Sequence, residues 1–150
     1  MPAESQTANI VETARARVFV RGEVRWVLLP KQFGVGPLQS HADRIQNLGN
    51  ELCGKHMCVI VQQDSADANS VVVVPITSAY DEFQQPKTHR HWWVSLEAPS
   101  GGVTQKSYVM CEQIRCVDKA RVLTRTGELS ATRLRKIRGV LSNLLFPSAA

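Results

Sequence analysis

Short runs of alternating or continuous apolar residues predict a mainly β domain. The segment Val18–Leu29 alternates between apolar and charged side chains, which is typical of a half-buried strand. Met57–Gln62 and Val71–Thr77 are almost wholly apolar and rich in β-branched residues, so they predict two central strands covered on both faces. Shorter strands are predicted at His91–Leu96, Lys106–Cys111 and Val122–Gly127. About six short strands joined by tight turns favour a small antiparallel barrel over a helical bundle.

Near the C-terminus the apolar period changes to that of a helix. Ser130 is a suitable N-cap, and Pro147 marks the end of the helical pattern. The apolar residues between them recur on one helix face: Leu134, Ile137, Leu141, Leu144 and Leu145. We expect this helix to pack on the barrel through that face and to expose basic residues such as Arg135 and Lys136.

Length and composition predict one domain with a tail. At 150 residues and 43% hydrophobic composition, the chain can form one domain with a core but not two ordinary ones. We predict that residues 1–16 form a flexible N-terminal tail and that residues 17–150 form the barrel domain. Glycines interrupt the segment at about 30–54, which predicts a long insertion loop. The lack of a long apolar run or leader pattern favours a soluble, cytoplasmic protein without membrane contact.

The net charge of +5 is unevenly distributed along the chain. Eight of the 18 Lys and Arg residues, but only two of the 13 acidic residues, lie in residues 115–150. Such a basic segment attracts a polyanion, which on charge alone is RNA, DNA or an acidic partner peptide. A solvated helix face is the alternative explanation of the same charges.

A dense polar group follows the predicted strand that ends at Cys111. Glu112, Gln113 and Arg115 offer an acid, an amide and a guanidinium within a few residues of one another. These groups are suited to holding a phosphodiester and the base beside it. An ion pair between Arg115 and Asp118 is the alternative.

Four cysteines raise the question of disulfides or a metal site. Cys53 and Cys58 are five residues apart, as are Cys111 and Cys116. On partly extended segments, residues at this spacing point to opposite faces, so neither pair is placed to converge on one metal ion. We expect buried free thiols and no metal.

Three segments together resemble one protein family: Arg21–Val27 (RGEVRWV), Val71–Ser78 (VVVVPITS) and the CEQIRCVDK run that begins at Cys111. They are similar to the MazF/PemK (Kid) toxins of type II toxin–antitoxin systems. The resemblance implies an SH3-like antiparallel barrel of the MazF/CcdB type with the C-terminal helix packed on it. It also implies a homodimeric endoribonuclease that needs no metal or cofactor and cleaves single-stranded mRNA at short sequence motifs through a 2′,3′-cyclic phosphate. A cognate antitoxin is the implied protein partner.

The resemblance also suggests which residues carry catalysis. In the MazF branch, a threonine at the end of one core strand and an arginine just before the preceding core strand serve the reaction. Thr77 matches the threonine, whereas His56, with Lys55 before it, holds the arginine position. We therefore hypothesise that His56 moves a proton, that Lys55 supplies positive charge and that Thr77 donates to the phosphate.

The Kid/PemK branch suggests a fourth catalytic candidate. There an arginine and an aspartate flank the strand-end cysteine, and in this chain Met110 and Glu112 hold those positions. Glu112 is thus a candidate base or a group that binds a base edge. The predicted RNA-binding residues are Gln113, Arg115, Ser78, Lys119 and Arg25. Because both family arginines are replaced, a catalytically weak or inactive barrel that binds RNA or antitoxin stays open, as does a gyrase-inhibiting toxin.

Overall fold

The computed structural model describes residues 12–13, 15–30 and 52–148, and an antiparallel sheet dominates this part of the chain. Its seven described strands are β1 (Glu23–Leu29), β2 (Gly54–Ile60), β3 (Ser70–Ser78), β4 (Trp93–Leu96), β5 (Ser107–Met110), β6 (Arg115–Asp118) and β7 (Val122–Glu128). The C-terminal helix, α1, spans Ala131–Leu145. The predicted fold class, mainly β with a C-terminal helix packed on the sheet, is confirmed.

Strand β3 lies at the centre of the sheet. Hydrogen bonds connect the strands in the order β4–β5–β3–β2–β1–β7, and β6 pairs with β3 beside β5. All of these pairs are antiparallel. Over the described ranges the sheet is not closed into a ring, since β4 and β7 are its two edges.

Strands β5 and β6 run along the same side of β3. Val109 pairs with Ile76, and Arg115 pairs with Val73. The segment between Val109 and Arg115 is therefore three residues longer than the segment between Val73 and Ile76 that it runs beside. These residues form a 3-10 turn, Cys111–Gln113. The turn therefore places Glu112 outside the strand pairing.

Two features of the strands differ from the sequence pattern. Strand β6 was not predicted, because only Val117 of its four residues is buried. The strand predicted at Val18–Leu29 begins later, at Glu23. Gly22 stands directly before it with a φ of 96°, a left-handed conformation that breaks an extended run and suits glycine.

Strands β2 and β3 divide their side chains between two hydrophobic clusters. Val59 and Val74 lie in the first cluster, which also contains Ile137 of α1. Their sequence neighbours Cys58 and Val73 lie in the second cluster. Because successive side chains of a strand point to opposite faces, both faces of these strands are buried, as predicted. Burying one such valine side chain contributes roughly 1.5–3 kcal/mol.

Helix α1 begins at the predicted N-cap. The Ser130 hydroxyl accepts a hydrogen bond from the N–H of Arg133 at 3.3 Å. Leu134 and Leu141 pack against the first cluster beside Ile137. The basic side chains of α1 that are exposed are Arg135, Lys136 and Arg138. Neither α1 nor any other helix in the described ranges is long and apolar enough to cross a membrane.

The predicted tail and insertion fall largely outside the described residues. This applies to residues 1–11 and 14 of the predicted tail 1–16, and to residues 31–51 of the insertion predicted at about 30–54. Arg15 is described, and its guanidinium binds the Asp118 carboxylate at 2.6 Å. Contact with the domain therefore extends to Arg15, just before the predicted domain boundary at residue 17.

A buried ion pair fixes three segments of the chain to one another. The fully buried Lys119 ammonium lies 2.8 Å from the Asp64 carboxylate. It also donates to the backbone carbonyls of Arg17 and Ser65. The Asp64 carboxylate in turn accepts the N–H groups of Phe19 and Ser65. The pair thus joins the N-terminal segment, the β2–β3 turn and the β6–β7 connection, with its charges hydrogen-bonded on all sides.

All four cysteines are free thiols, as predicted. Cys58 and Cys111 are buried, and burial raises the pKa of each thiol to about 12. Cys53 and Cys116 are exposed, so the prediction of burial is wrong for these two. Within the part of the chain that the structure describes, no group of three His, Cys, Asp or Glu residues is arranged to hold a metal ion.

We predict that Lys119→Met lowers the free energy of unfolding by about 3–5 kcal/mol, because it leaves the Asp64 carboxylate buried without its cation. Chemical denaturation followed by tryptophan fluorescence measures this change. Lys136→Met, at an exposed position of α1, is the matched control and should change stability by no more than about 0.5 kcal/mol. Equal stability of the two variants would contradict the role assigned to the buried pair.

The same ion pair predicts a loss of stability in acid. Burial by itself raises the pKa of Asp64, but hydrogen bonds from Lys119, Phe19 and Ser65 outweigh it, so this pKa lies below its ordinary value. Stability from such a carboxylate is fully present above the unfolded-state pKa of about 3.9 and is lost as pH falls through the folded-state pKa. Asp64→Asn should therefore flatten the fall in unfolding free energy below about pH 4. Glu82→Gln, at an exposed loop position, should keep the wild-type slope, and two equal slopes would refute the assignment.

Candidate active site

The predicted catalytic residues of β2 and β3 lie at one end of this strand pair. Lys55 and His56 are near the start of β2, and Thr77 and Ser78 end β3. Because the two strands are antiparallel, these ends are neighbours. All four residues line one cavity of about 290 Å³ together with Trp26 of β1.

His56 and Thr77 lie just beyond the last paired residues of β2 and β3. Cys58 pairs with Pro75 at this end, and His56 and Thr77 each lie two residues farther along their strands. Side chains two residues apart on a strand point to the same face. Directly opposite residues of an antiparallel pair project to the same face of the sheet. His56 and Thr77 therefore share the face on which Cys58 enters the second hydrophobic cluster.

Lys55 lies on the other face of β2. Its ammonium is 5.1 Å from the centre of the Trp26 ring, a cation–π contact. Met57, the next residue on that face, packs against the first hydrophobic cluster. Lys55 and Thr77 thus project from opposite strand faces, although both line the same cavity.

The His56 imidazole is half-buried and oriented by a backbone group. Its Nε2 lies 3.0 Å from the carbonyl oxygen of Cys53. Because a carbonyl oxygen only accepts hydrogen bonds, Nε2 carries the proton in this contact. In the neutral imidazole, Nδ1 is then left as a proton acceptor.

A lysine that sequence analysis did not single out contacts Thr77. The Lys87 ammonium donates a hydrogen bond to the Thr77 hydroxyl oxygen at 2.8 Å. Lys87 lies in the connection between β3 and β4. The path of that connection brings it back to the end of β3.

Ser78 also holds a neighbouring segment. Its hydroxyl oxygen accepts hydrogen bonds from the side-chain amide of Gln105 and from the N–H of Tyr80. Because a hydroxyl oxygen has two acceptor positions, the hydroxyl proton is what Ser78 retains for a ligand. Its predicted role in RNA binding is thus limited to donation.

Glu112 lies beside an aromatic group rather than in the cavity. Its carboxylate accepts a hydrogen bond from the Trp93 indole N–H at 2.8 Å. The Trp93 ring lies 5.1 Å from the ring of Tyr108, which pairs with Thr77 across β3 and β5. Glu112 is not among the described residues that line the cavity.

Arg115 and Gln113 form one hydrogen-bonded unit. The Arg115 guanidinium donates to the Gln113 side-chain oxygen and to the Leu52 carbonyl, each at 2.7 Å. The alternative ion pair between Arg115 and Asp118 is not formed, because residues three apart on a strand face opposite ways and Asp118 binds Arg15 instead.

Two of the predicted RNA-binding residues have structural roles. Lys119 is 0% exposed in its pair with Asp64, so RNA cannot reach its ammonium. Arg25 lies 2.7 Å from the Glu23 carboxylate and donates to the Leu123 carbonyl. Both predictions are corrected, because a basic residue in a sequence gives no sign of the partner that the fold brings to it.

The connection before β4 carries further basic groups that were missing from the predicted site. The Arg90 guanidinium lies 5.6 Å from the centre of the Trp93 ring, and His89 lies 5.3 Å from Tyr108. Together with Lys87, they place three residues of basic type near one aromatic surface. The sequence signal for them is the run KTHRHWW at 87–93, where basic residues directly precede two tryptophans.

Comparison with known proteins decides the family. The model of the PemK-like, MazF-like toxins of type II toxin–antitoxin systems matches residues 20–145. The chain belongs to this toxin family. The MazF/PemK resemblance seen in the sequence is thus confirmed, although no curated protein matches the chain.

Two solved structures share the fold of this PemK/MazF-family chain. MazF from Deinococcus radiodurans is 21% identical with a TM-score of 0.61, and the match covers 86% of this chain and 97% of that one. An endoribonuclease from mycobacterial species, solved in complex with its cognate antitoxin, is 19% identical with a TM-score of 0.58 over 88% and 99% of the two chains. At these identities the likeness shows a common fold.

Proposed function

We propose that this PemK/MazF-family chain is a cytoplasmic, homodimeric toxin that cleaves single-stranded mRNA at short sequence motifs. The reaction needs no metal and leaves a 2′,3′-cyclic phosphate. One observation carries the proposal: His56 and Thr77 share a sheet face at the end of adjacent strands and line one cavity. Membership of the toxin family supports it as well.

His56 offers the proton acceptor that the reaction requires. Nδ1 takes the proton of the ribose 2′-hydroxyl while this oxygen attacks the phosphorus. The O2′–P bond forms and the P–O5′ bond breaks, and the 5′-oxygen leaves with a proton from water. The Cys53 carbonyl stabilises the tautomer that keeps Nδ1 unprotonated before the reaction.

Thr77 offers a donor where negative charge develops. Its oxygen accepts a hydrogen bond from a neighbouring lysine, so its own proton is free to point toward a phosphoryl oxygen. A fixed donor of this kind is worth more for the transition state than for the ground state, because charge on the phosphoryl oxygens increases during attack.

The aromatic surface beside the cavity suits a nucleobase. A base can stack on the half-buried Trp93 ring, and the Glu112 carboxylate can accept from an amino or imino group of that base. Gln113 follows Glu112 in the same 3-10 turn, and Arg115 holds its side-chain oxygen. We therefore assign Glu112 to base recognition rather than to proton transfer, since it lies away from His56 and Thr77.

A groove along α1 suits the cognate antitoxin. This groove of about 360 Å³ has an apolar floor that includes Leu134, Leu141 and Phe146. The basic residues that line it are Arg21, Arg135 and Arg138. An apolar floor with a basic rim matches an amphipathic acidic segment, and we propose that the antitoxin supplies one.

A binding protein without turnover is the second candidate. It is favoured by the two positions at which the family's branches carry arginine, since they hold His56 and Met110 here. Met110 is also buried, so no solvent-facing cation replaces that arginine at its own position. Such a protein would retain RNA without cutting it.

A digest of long single-stranded RNA in EDTA tests the enzymatic proposal. We expect cleavage at recurring short motifs with 2′,3′-cyclic phosphate ends. His56→Ala and Thr77→Ala should each slow cleavage by a factor on the order of 100 or more, because each removes a group acting in the transition state. His91→Ala and Thr124→Ala, at exposed positions outside the cavity, are matched controls that should keep the wild-type rate. RNA that is bound but stays intact at high protein concentration would instead establish the binding protein.

A double charge reversal tests the antitoxin groove. Arg135→Glu with Arg138→Glu should weaken binding of the proposed acidic antitoxin segment at least about tenfold, because like charges then meet at the rim. RNA cleavage should be unchanged, since α1 lies outside the cavity of His56. Titration calorimetry measures the affinity, and Arg125→Glu on β7 is the control. Unchanged affinity in the double variant would exclude this groove.

A further inference from the structure

The connection between β3 and β4 forms a hydrogen-bonded hairpin that holds Lys87 at the end of β3. The N–H of Lys87 donates to the Ala79 carbonyl at 2.7 Å, and Tyr80 and Pro86 form a β-bridge. At the tip, the Asp81 carboxylate accepts two backbone N–H groups, from Phe83 and Gln85, at 2.9 Å each. The Lys87 backbone is therefore positioned before any ligand binds.

The positive charge of Lys87 is not neutralised by the protein. Across the described ranges, no carboxylate forms an ion pair with its ammonium. Lys119 is the contrasting case, since it is buried against Asp64. Lys87 is half-buried, so its charge acts in a partly water-excluded place where electrostatic interactions are stronger than in bulk water.

The contact between Lys87 and Thr77 leaves both groups able to donate. An ammonium has three N–H donors, and one of them is used on the Thr77 hydroxyl oxygen. The hydroxyl has given up an acceptor position but keeps its proton. The ammonium also polarises this O–H bond, which makes it a stronger donor.

We propose that Lys87 is the catalytic cation of this chain and acts as one unit with Thr77 on the scissile phosphate. This inference rests on the proposed RNA cleavage. Lys87 and Thr77 both donate to the phosphoryl oxygens as the O2′–P bond forms, and neither forms a covalent bond with the substrate. Lys87 contacts the Thr77 hydroxyl directly, whereas the Lys55 ammonium lies over the Trp26 ring.

Two substitutions separate the charge of Lys87 from its bulk. Lys87→Met keeps the length of the side chain but removes the charge, and should slow single-turnover RNA cleavage in EDTA roughly 100-fold. Lys87→Arg keeps the charge and should recover a large part of that loss. Arg125→Met, at an exposed position of β7, is the control for loss of one positive charge and should keep the wild-type rate. Unfolding midpoints establish that each variant is folded.

A double variant and an unreactive substrate show whether Lys87 acts in catalysis or only in RNA binding. If Lys87 and Thr77 act as one unit, Lys87→Met with Thr77→Ala should be little slower than either single variant. An RNA with 2′-deoxyribose at the cleavage position cannot react, and its affinity for Lys87→Met should fall much less than the rate. An equal fall in affinity and rate would overturn the catalytic role and leave a binding role.

The outcomes separate this inference from the proposed function. If the wild type cleaves RNA and Lys87→Met cleaves at the same rate, Lys87 is not the catalytic cation while the proposed function stands. An equal loss of rate in Lys87→Met and Arg125→Met would likewise overturn it, because the effect would then be one of net charge. A wild type that does not cleave RNA overturns the proposed function and this inference together.

Discussion

The pairing of β3 with three other strands determines where a site can form. Strand β2 lies along one side of β3, and β5 and β6 lie along the other. The end of β3 therefore places Thr77 opposite Tyr108 of β5 and in one cavity with His56 of β2. A slip of one residue would move every side chain of β3 to the opposite face, and both faces are buried. The burial of the valines thus fixes the register on which the proposed chemistry depends.

The β2–β3 hairpin has a stabilising end and a candidate functional end. At its turn, the buried Asp64–Lys119 pair ties the hairpin to two other segments, and each charge depends on the other for its solvation. At the opposite end, Thr77 and His56 line the cavity. The buried ion pair that stabilises the fold lies at the other end of the hairpin from the cavity. Lys87 is not part of that pair, so we propose that its positive charge is available for a phosphate.

The structure redistributes the basic character of the C-terminal third. Lys119 is buried, Arg115 binds Gln113 and a backbone carbonyl, and the basic residues of α1 lie on the helix away from the cavity. The cationic groups beside Thr77 and Trp93 come instead from the connection before β4, through Lys87 and Arg90. We therefore propose that a polyanion is attracted by a segment whose charge is modest in the sequence. The charge along α1 suits a second surface.

The sequence by itself determined the elements of this protein, whereas the tertiary structure decided which polar groups meet. The period of apolar residues and the Ser130 cap are local properties, and they were enough to predict the strands and the helix. Strand β6 is the exception, because its single buried valine gives no periodic pattern. The family resemblance proposed His56 and Thr77 as site residues from equally local motifs. The burial of Lys119 and the contact of Lys87 with Thr77 depend on partners brought from other parts of the fold. A charged side chain carries no information in the sequence about its future partner, because that partner is selected when the sheet packs.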